Sequence, residues 1–203
     1  MILDFNDLIQ KYECTINGVL HIGAHGGGEY EVYKHFNINP IIFVEPQPNI
    51  FEQLKNNVGD GASCLNLALG NMEGEVEMFT NDNDQNGASS ILEPKLHLEQ
   101  YPNIQFDKKI KVKISKVDSL DIPKCNFMNI DVQGYELEVL KGAKEYLNQV
   151  DYILAEVNKD ELYKDCALVD DIDEFLQSYE FERVETNWAG SNWGDAFYIK
   201  VKK

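Results

Sequence analysis

Basic residues are scarce in this 203-residue chain: 18 Lys and Arg stand against 35 Asp and Glu, giving a formal net charge of −17. The acids are spread along the sequence and not gathered in a tail, so the surface repels phosphate backbones. Nucleic acid, whose binding depends on Lys and Arg displacing counterions, is therefore not an expected partner. A neutral or cationic ligand is easier to accommodate. Cysteine is sparse as well. Cys14, Cys64, Cys125 and Cys166 form no C-x-x-C pair and have no adjoining histidines, so neither a zinc knuckle nor the disulfide frame of a small secreted domain fits, and buried thiols are expected. No run approaches the ~18 apolar residues of a membrane span. The opening MILDFNDLIQKY is acidic where a signal peptide is basic, which points to the cytoplasm. With 14 Gly and 6 Pro the chain has too few of either to be disordered or fibrous. Nothing in it reports an oligomeric state.

What is present suits one globular domain spanning residues 1–203: 43% of residues are hydrophobic and 26% charged. Within 1–17, LDFNDLIQKYE suggests a short leading helix. GVLHIG then reads as a strand, EYEVYKHF as a helix and PIIFVEP as a second buried strand ended by Pro46, which together make a βαβ unit. FEQLKNN continues as a helix, ASCLNLAL as a third strand and GEVEMFT as another. Regularity fails across 81–109, where turn residues and two prolines suggest a loop insertion. KIKVKISKV and CNFMNID follow as strands, the second stopping at Asp131. YELEVLKGAKEYL puts Leu137, Leu140, Ala143 and Leu147 at helical spacing, and VDYILAEV is a strand ending near Glu156. The tail reads as helix, strand, a loop carrying Trp188 and Trp193, and a last strand AFYIKV. Alternating strands and helices predict a mainly parallel sheet covered on both faces. Ligands of such folds sit beyond the carboxyl ends of the strands, near Gly23, Glu45, Ala68, Asp131 and Glu156.

The stretch HIGAHGGGEY ends the first strand in bare backbone. Glycines there let the chain turn tightly and let a ligand approach closely, with Gly23 and Gly27 the expected pair. Glu45 ends the second strand 22 residues after Gly23, placed to accept hydrogen bonds from both hydroxyls of an adenosine ribose. Two phosphate-bearing ligands fit less well. A dinucleotide fingerprint wants glycine where His25 stands, and no G-K-[ST] follows for a triphosphate. S-adenosylmethionine has the ribose and no phosphate. An NAD-dependent oxidoreductase remains the rival enzyme, and a non-catalytic S-adenosylmethionine-binding module the rival without chemistry.

The segments VLHIGAHGGGE, IIFVEPQPNIFEQLKNN, NLALGNMEGEVEMF, ASSIL, NFMNIDVQGYELEVLKGA and VDYILAEVN, with WGDAFYI near the end, resemble the FkbM family of S-adenosylmethionine-dependent O-methyltransferases. The I-D-x-x-G-x-E-x-x-x-L-x-G-A run is the most specific of these. The resemblance implies a Rossmann-like class I methyltransferase fold, a seven-stranded mainly parallel sheet with helices on both faces and an antiparallel last strand. It implies that Gly23, Ala24, His25 and Gly27 hold the methionine part of the cofactor. Glu45, with Pro46 beside it, would take the ribose, Leu67 and Ala68 would lie beside the adenine, and Asp131 would face the methionine end or the acceptor. Two positions depart from the family pattern: His21 stands where an acid is common, and Gln133 where Glu is common.

Methyl transfer to oxygen needs an aligned acceptor and a base for its proton. Asp131, Glu156 and His97 are the candidate bases, the two acids because their strands should be neighbours and their carboxylates should repel. Asp131, Glu156 and Asn158 are also oxygen ligands of the type Mg²⁺ accepts; this metal-assisted variant is the minor expectation, and no metal is assigned. Ser89, Ser90, His97 and Tyr101 mark 81–109 as the acceptor-binding lid, and Trp188 and Trp193 can offer flat faces to a sugar ring. Family members act on sugar hydroxyls and natural products, so a small-molecule or glycan acceptor is expected.

Overall fold

The computed structural model describes residues 2–80 and 87–201. The chain opens with α1 (Phe5–Lys11), started by Asp4, whose carboxylate accepts the Asp7 amide at 3.0 Å. Next come β1 (Val19–Ile22), α2 (Tyr30–His35) and β2 (Ile41–Val44); every residue of both strands is buried, as a strand covered on two faces requires. Helix α3 (Pro48–Val58) begins on a proline that costs no hydrogen bond there, and it buries Ile50, Leu54 and Val58 along one stripe.

The expected third strand, 62–69, is split. Its first part, β3 (Ser63–Leu65), joins β2, while β4 (Ala68–Leu69) belongs to a second sheet with β5 (Gly74–Thr80) and β6 (Lys108–Ser115). Between the two parts, Asn66 donates its side-chain amide to the carbonyls of Glu45 and Pro46 at 2.9 and 3.1 Å, and this ties the chain to the end of β2 while it changes sheets. The expected loop insertion contains the short helix α4 (Leu96–Gln100), and residues 81–86 lie outside the described part. Strand β7 (Phe127–Ile130) follows, then α5 (Glu136–Lys141), β8 (Tyr152–Asn158), α6 (Val169–Gln177), β9 (Phe181–Ala189) and β10 (Trp193–Lys200). Three expectations are corrected here. The helix across 135–147 stops at Lys141 and resumes as a 3-10 turn at Tyr146–Gln149, and Leu137 is only half-buried, Val139 taking the inward position. Glu156 lies inside β8, which runs on to Asn158. The two tryptophans sit in a hairpin, Trp188 on β9 and Trp193 on β10, and not in a loop.

The main sheet has seven strands in the order β3-β2-β1-β7-β8-β10-β9, and β10 runs antiparallel to both its neighbours. Its two faces carry separate cores. Leu20, Ile42, Met128, Ile153 and Ala196 pack under α5 and α6, and Val19, Phe43, Phe127, Leu154 and Phe197 pack under α1 to α3. The order turns about between β1 and β7, whose last residues Ile22 and Ile130 are paired. Gly23 and Asp131, one step further on, therefore meet at the switch point, where open parallel sheets bind ligands.

Candidate active site

Gly23 carries a positive φ of +81°, and a Cβ there would lie 1.7 Å from the Asp131 carbonyl oxygen. At Gly27, with φ +74°, a Cβ would lie 2.7 Å from Leu54 Cδ1. The close approach these glycines allow is thus made by the protein's own backbone and by helix α3, where a ligand was expected. Gly26 and Gly28 line the outer part of the cleft instead, beside His21, Ala24, His25, Glu29 and Asp131. The cleft continues inward past Gly23 and His25 to Glu45 and Pro46, and closes on an apolar slot of Leu67, Ala68, Leu69 and Met78. His25 itself adopts φ +47°, a left-handed position usually left to glycine.

Glu45 is buried at the end of β2, and its two carboxylate oxygens accept the backbone amides of His25 at 3.0 Å and Gln47 at 2.9 Å. These bonds fix the acid against the glycine loop. At the outer end, Asn129 donates to the Tyr33 hydroxyl at 2.9 Å, and that hydroxyl stands 3.2 Å from His21 Nδ1. The Tyr33 proton is then the one directed at Nδ1, which leaves the ring proton of a neutral His21 on Nε2. Burial holds the His21 pKa below its ordinary value, against the pull of Glu29 and Asp131. An acid is nonetheless supplied at this end of the cleft by Glu29, whose Oε2 lies 3.9 Å from His21 Nδ1.

A second cavity adjoins the first, lined by Ala88, His97, Tyr101, Ile104, Glu156, Leu162 and Trp193, with Gln133 between it and the cleft. Gln133 also lines the cleft and is the link. Its Nε2 donates to Asp131 Oδ1 at 2.8 Å and to Glu156 Oε2 at 3.0 Å, while its Oε1 accepts from Tyr163 at 2.9 Å. The two carboxylates on neighbouring strands thus converge on one amide. Burial first, then the charges of Asp131, Glu136 and Asp195, push the Glu156 pKa well above the usual carboxylate range. The Gln133 amide hydrogens thus engage one oxygen of each carboxylate, Asp131 Oδ1 and Glu156 Oε2. Among the described residues no group of three or more His, Cys, Asp or Glu is placed to hold a metal ion.

Gln133 is held in place by its neighbours in the chain and by Ser90. It has φ +56°, Gly134 after it has φ +95°, and the buried Glu136 accepts the amides of Val132 at 3.0 Å and Gly134 at 3.1 Å. Ser90 donates to the Gln133 carbonyl at 2.7 Å, anchoring part of the expected lid to this turn. The D-x-x-G-x-E run carried the signal; its physical content is a backbone turn clamped by its own glutamate.

His97, expected in an irregular segment, is buried on α4 among the rings of Tyr101, Phe106 and Tyr163 at 5.0, 5.2 and 5.5 Å. Burial lowers its pKa, and its Nδ1 has no hydrogen-bond partner. Trp193 lines the second cavity and donates to Tyr101 Oη at 2.8 Å. Trp188 instead packs on the main core under Lys159, whose Nζ lies 4.0 Å from its ring centre. Ser89 lines the cleft beside Gln47. The four cysteines are all free thiols: Cys125 and Cys166 are buried, whereas Cys14 and Cys64 are partly exposed.

A doubly wound sheet of this order, with an antiparallel strand beside its edge and an acid-bearing cleft at its switch point, defines the class of fold: the Rossmann-like class I methyltransferase fold. The chain belongs to the FkbM methyltransferase family, since the profile described as "Methyltransferase FkbM domain" matches residues 21–183. The 2-O-methyltransferase NoeI of Sinorhizobium fredii is 26% identical over 174 residues, which are 80% of this chain and 72% of that protein. The hexuronic acid methyltransferase AglP of Haloferax volcanii is 25% identical over 118 residues, 56% of this chain and 45% of the relative. Among solved structures, the methyltransferase FkbM from Methylobacillus flagellatus KT superposes with a TM-score of 0.60 at 14% identity. That match covers 91% of this chain and 43% of the other, so this chain spans less than half of that protein's length. Magnesium protoporphyrin IX methyltransferase from Synechocystis PCC 6803 has the same fold with a TM-score of 0.52 at 7% identity, over 96% of this chain and 74% of the other.

Proposed function

We propose that this protein transfers a methyl group from S-adenosylmethionine to a hydroxyl of a saccharide or related metabolite, in the cytoplasm, and that residues 1–203 act as one catalytic domain. The donor set of the cleft suits that cofactor: an acid for a ribose diol at Glu45, an apolar slot at Leu67, Ala68 and Met78 for an adenine, and an acid for an ammonium group at Glu29. Gly23, Ala24, His25 and Pro46 complete the wall. When bound, S-adenosylmethionine supplies a methyl group already activated on a sulfonium. What remains for the protein is to align an acceptor oxygen, for which favourable cases give about 7 to 11 kcal/mol, and to take its proton.

The observation that carries the reading is Gln133, which lines both cavities and binds Asp131 on one side and Glu156 on the other. The acceptor belongs in the second cavity, where Glu156 is the base. A carboxylate whose pKa is raised takes a hydroxyl proton more readily than an ordinary one. Glu156, in its ionised form, would take the proton of an acceptor hydroxyl held in this cavity while the S–CH3 bond of the sulfonium breaks and leaves a neutral thioether. Asp131 faces the junction and positions Gln133, and the neutral His97 can bond a second hydroxyl through Nδ1. The names of the relatives, a 2-O-methyltransferase and a hexuronic acid methyltransferase, support a sugar acceptor and a place in glycan biosynthesis. Four free thiols are in keeping with a reducing compartment. No described helix is long and apolar enough to cross a membrane.

The test is methyl-labelled S-adenosylmethionine offered with a glycoside panel, read by product NMR, beside a thermal-shift comparison of S-adenosylhomocysteine with NAD. O-methyl product, and stabilisation by S-adenosylhomocysteine alone, are expected. Glu156→Gln should slow transfer about 10² to 10⁴-fold while leaving S-adenosylhomocysteine affinity within twofold. Stabilisation by NAD alone would refute the assignment.

A further inference from the structure

The two relatives named above point to acceptors that differ in charge: one name specifies a hexuronic acid, and the other only a 2-O-position. At 25 and 26% identity neither acceptor can be carried over, so the wall of the second cavity has to decide. We infer that this cavity selects an uncharged sugar ring and rejects the carboxylate of a hexuronic acid. The inference rests on the proposed methyl transfer and adds the acceptor class to it.

A uronate carboxylate needs a cation or several converging N–H groups to replace its water. Among the described residues no Lys or Arg lines the cavity, and its one histidine is kept neutral by burial among aromatic rings. The lysines nearest in sequence to the lining residues are engaged elsewhere. Lys95 pairs with Glu161, Lys164 with Glu93 at 3.6 Å, and Lys159 covers the Trp188 ring. Residues 81–86, NDNDQN, contain two aspartates and no cation.

The wall is also acidic. Glu156 reaches the cavity with Asp131 on one flank through Gln133 and with Asp195 paired to it across β10. A further carboxylate would add like charge beside Glu156, which already has the acids Asp131 and Asp195 on its two flanks. The polar atom of the wall that lacks a partner asks for the opposite chemistry. His97 lines the wall, and its Nδ1 is unbonded. A neutral imidazole nitrogen donates or accepts according to its tautomer. A hydroxyl answers either, whereas a carboxylate only accepts. Trp193 and Tyr101 add the flat apolar surface a neutral pyranose ring uses.

The experiment uses matched p-nitrophenyl glycosides that differ only at C6, glucoside with glucuronide and galactoside with galacturonide, and labelled S-adenosylmethionine. Saturation-transfer difference NMR on the cofactor-free protein reads the same preference without turnover. The neutral member of each pair should win by tenfold or more in both readouts, and Ile104→Lys, a partly exposed wall position, should narrow the gap at least threefold. Equal use of the two members, or preference for the uronate, would overturn the inference while leaving methyl transfer intact. Transfer to neither member, with no stabilisation by S-adenosylhomocysteine, would overturn the proposed function and the inference with it.

Discussion

Glu136 ties the stability of this protein to pH, and replacing it by glutamine should loosen that tie. Its carboxyl is 1% exposed and accepts two backbone amides. Burial pushes its pKa from 4.5 up to about 7, helped by the charge of Asp131 and opposed by those two hydrogen bonds. The folded state therefore holds this proton more tightly than the unfolded chain does. The associated stability is fully present below about pH 4.5 and is lost as pH rises through about 7. At about 1.4 kcal/mol per pKa unit the full effect is on the order of 3 kcal/mol, of which most falls between pH 5 and 8. Glu136→Gln keeps an oxygen that can accept both amides and removes the ionisation. Urea unfolding followed by tryptophan fluorescence should show the variant close to wild type at pH 5. At pH 8 it should unfold at a midpoint higher by about 1 M, taking an m-value of about 2 kcal/mol/M. Subtracting the two proteins cancels the titrating groups that do not sense Glu136; Glu156, which does, is relieved in the variant and widens the difference in the same direction. A midpoint difference that stays constant from pH 5 to pH 8 would refute the reasoning.

Two further outcomes follow from the cleft. Glu45→Gln puts an NH2 group against one of the two amides the carboxylate now accepts, and should weaken S-adenosylhomocysteine binding about tenfold to a hundredfold, the worth of one charged hydrogen bond; unchanged affinity by calorimetry would remove Glu45 from the site. Alanine at Gly23 meets the Asp131 carbonyl at 1.7 Å in a conformation side chains rarely adopt, and should cost about 3 kcal/mol or more, a fall in Tm of about 6 to 12 °C. A melting temperature equal to wild type would show that the switch point can yield there.

Local pattern by itself determined much of this protein. Short, largely apolar runs such as IIFV and FMNI, bounded by turn residues, suit strands covered on both faces, and their alternation with helices points to a parallel sheet with its ligands at the carboxyl edge. The order of GAHGGG, Glu45 and the D-x-x-G-x-E run marked the cleft for the same reason: residues at strand ends are placed by the topology alone. What depended on contacts far apart in the chain stayed hidden. Nothing local tells that 62–69 changes sheets after Leu65, because that is set by Asn66 reaching back to the end of β2. The loop glycines read as room for a ligand, but whether a missing Cβ faces a ligand, the Asp131 carbonyl or Leu54 is fixed only when strands and helix pack. Gln133 read as a lost acid, and became the amide joining two carboxylates once β7 and β8 lay side by side with Tyr163 orienting it. The pKa values of Glu136 and Glu156 depend on burial and on neighbours up to dozens of residues away, so only the tertiary structure decides which carboxyls hold their protons above the ordinary range.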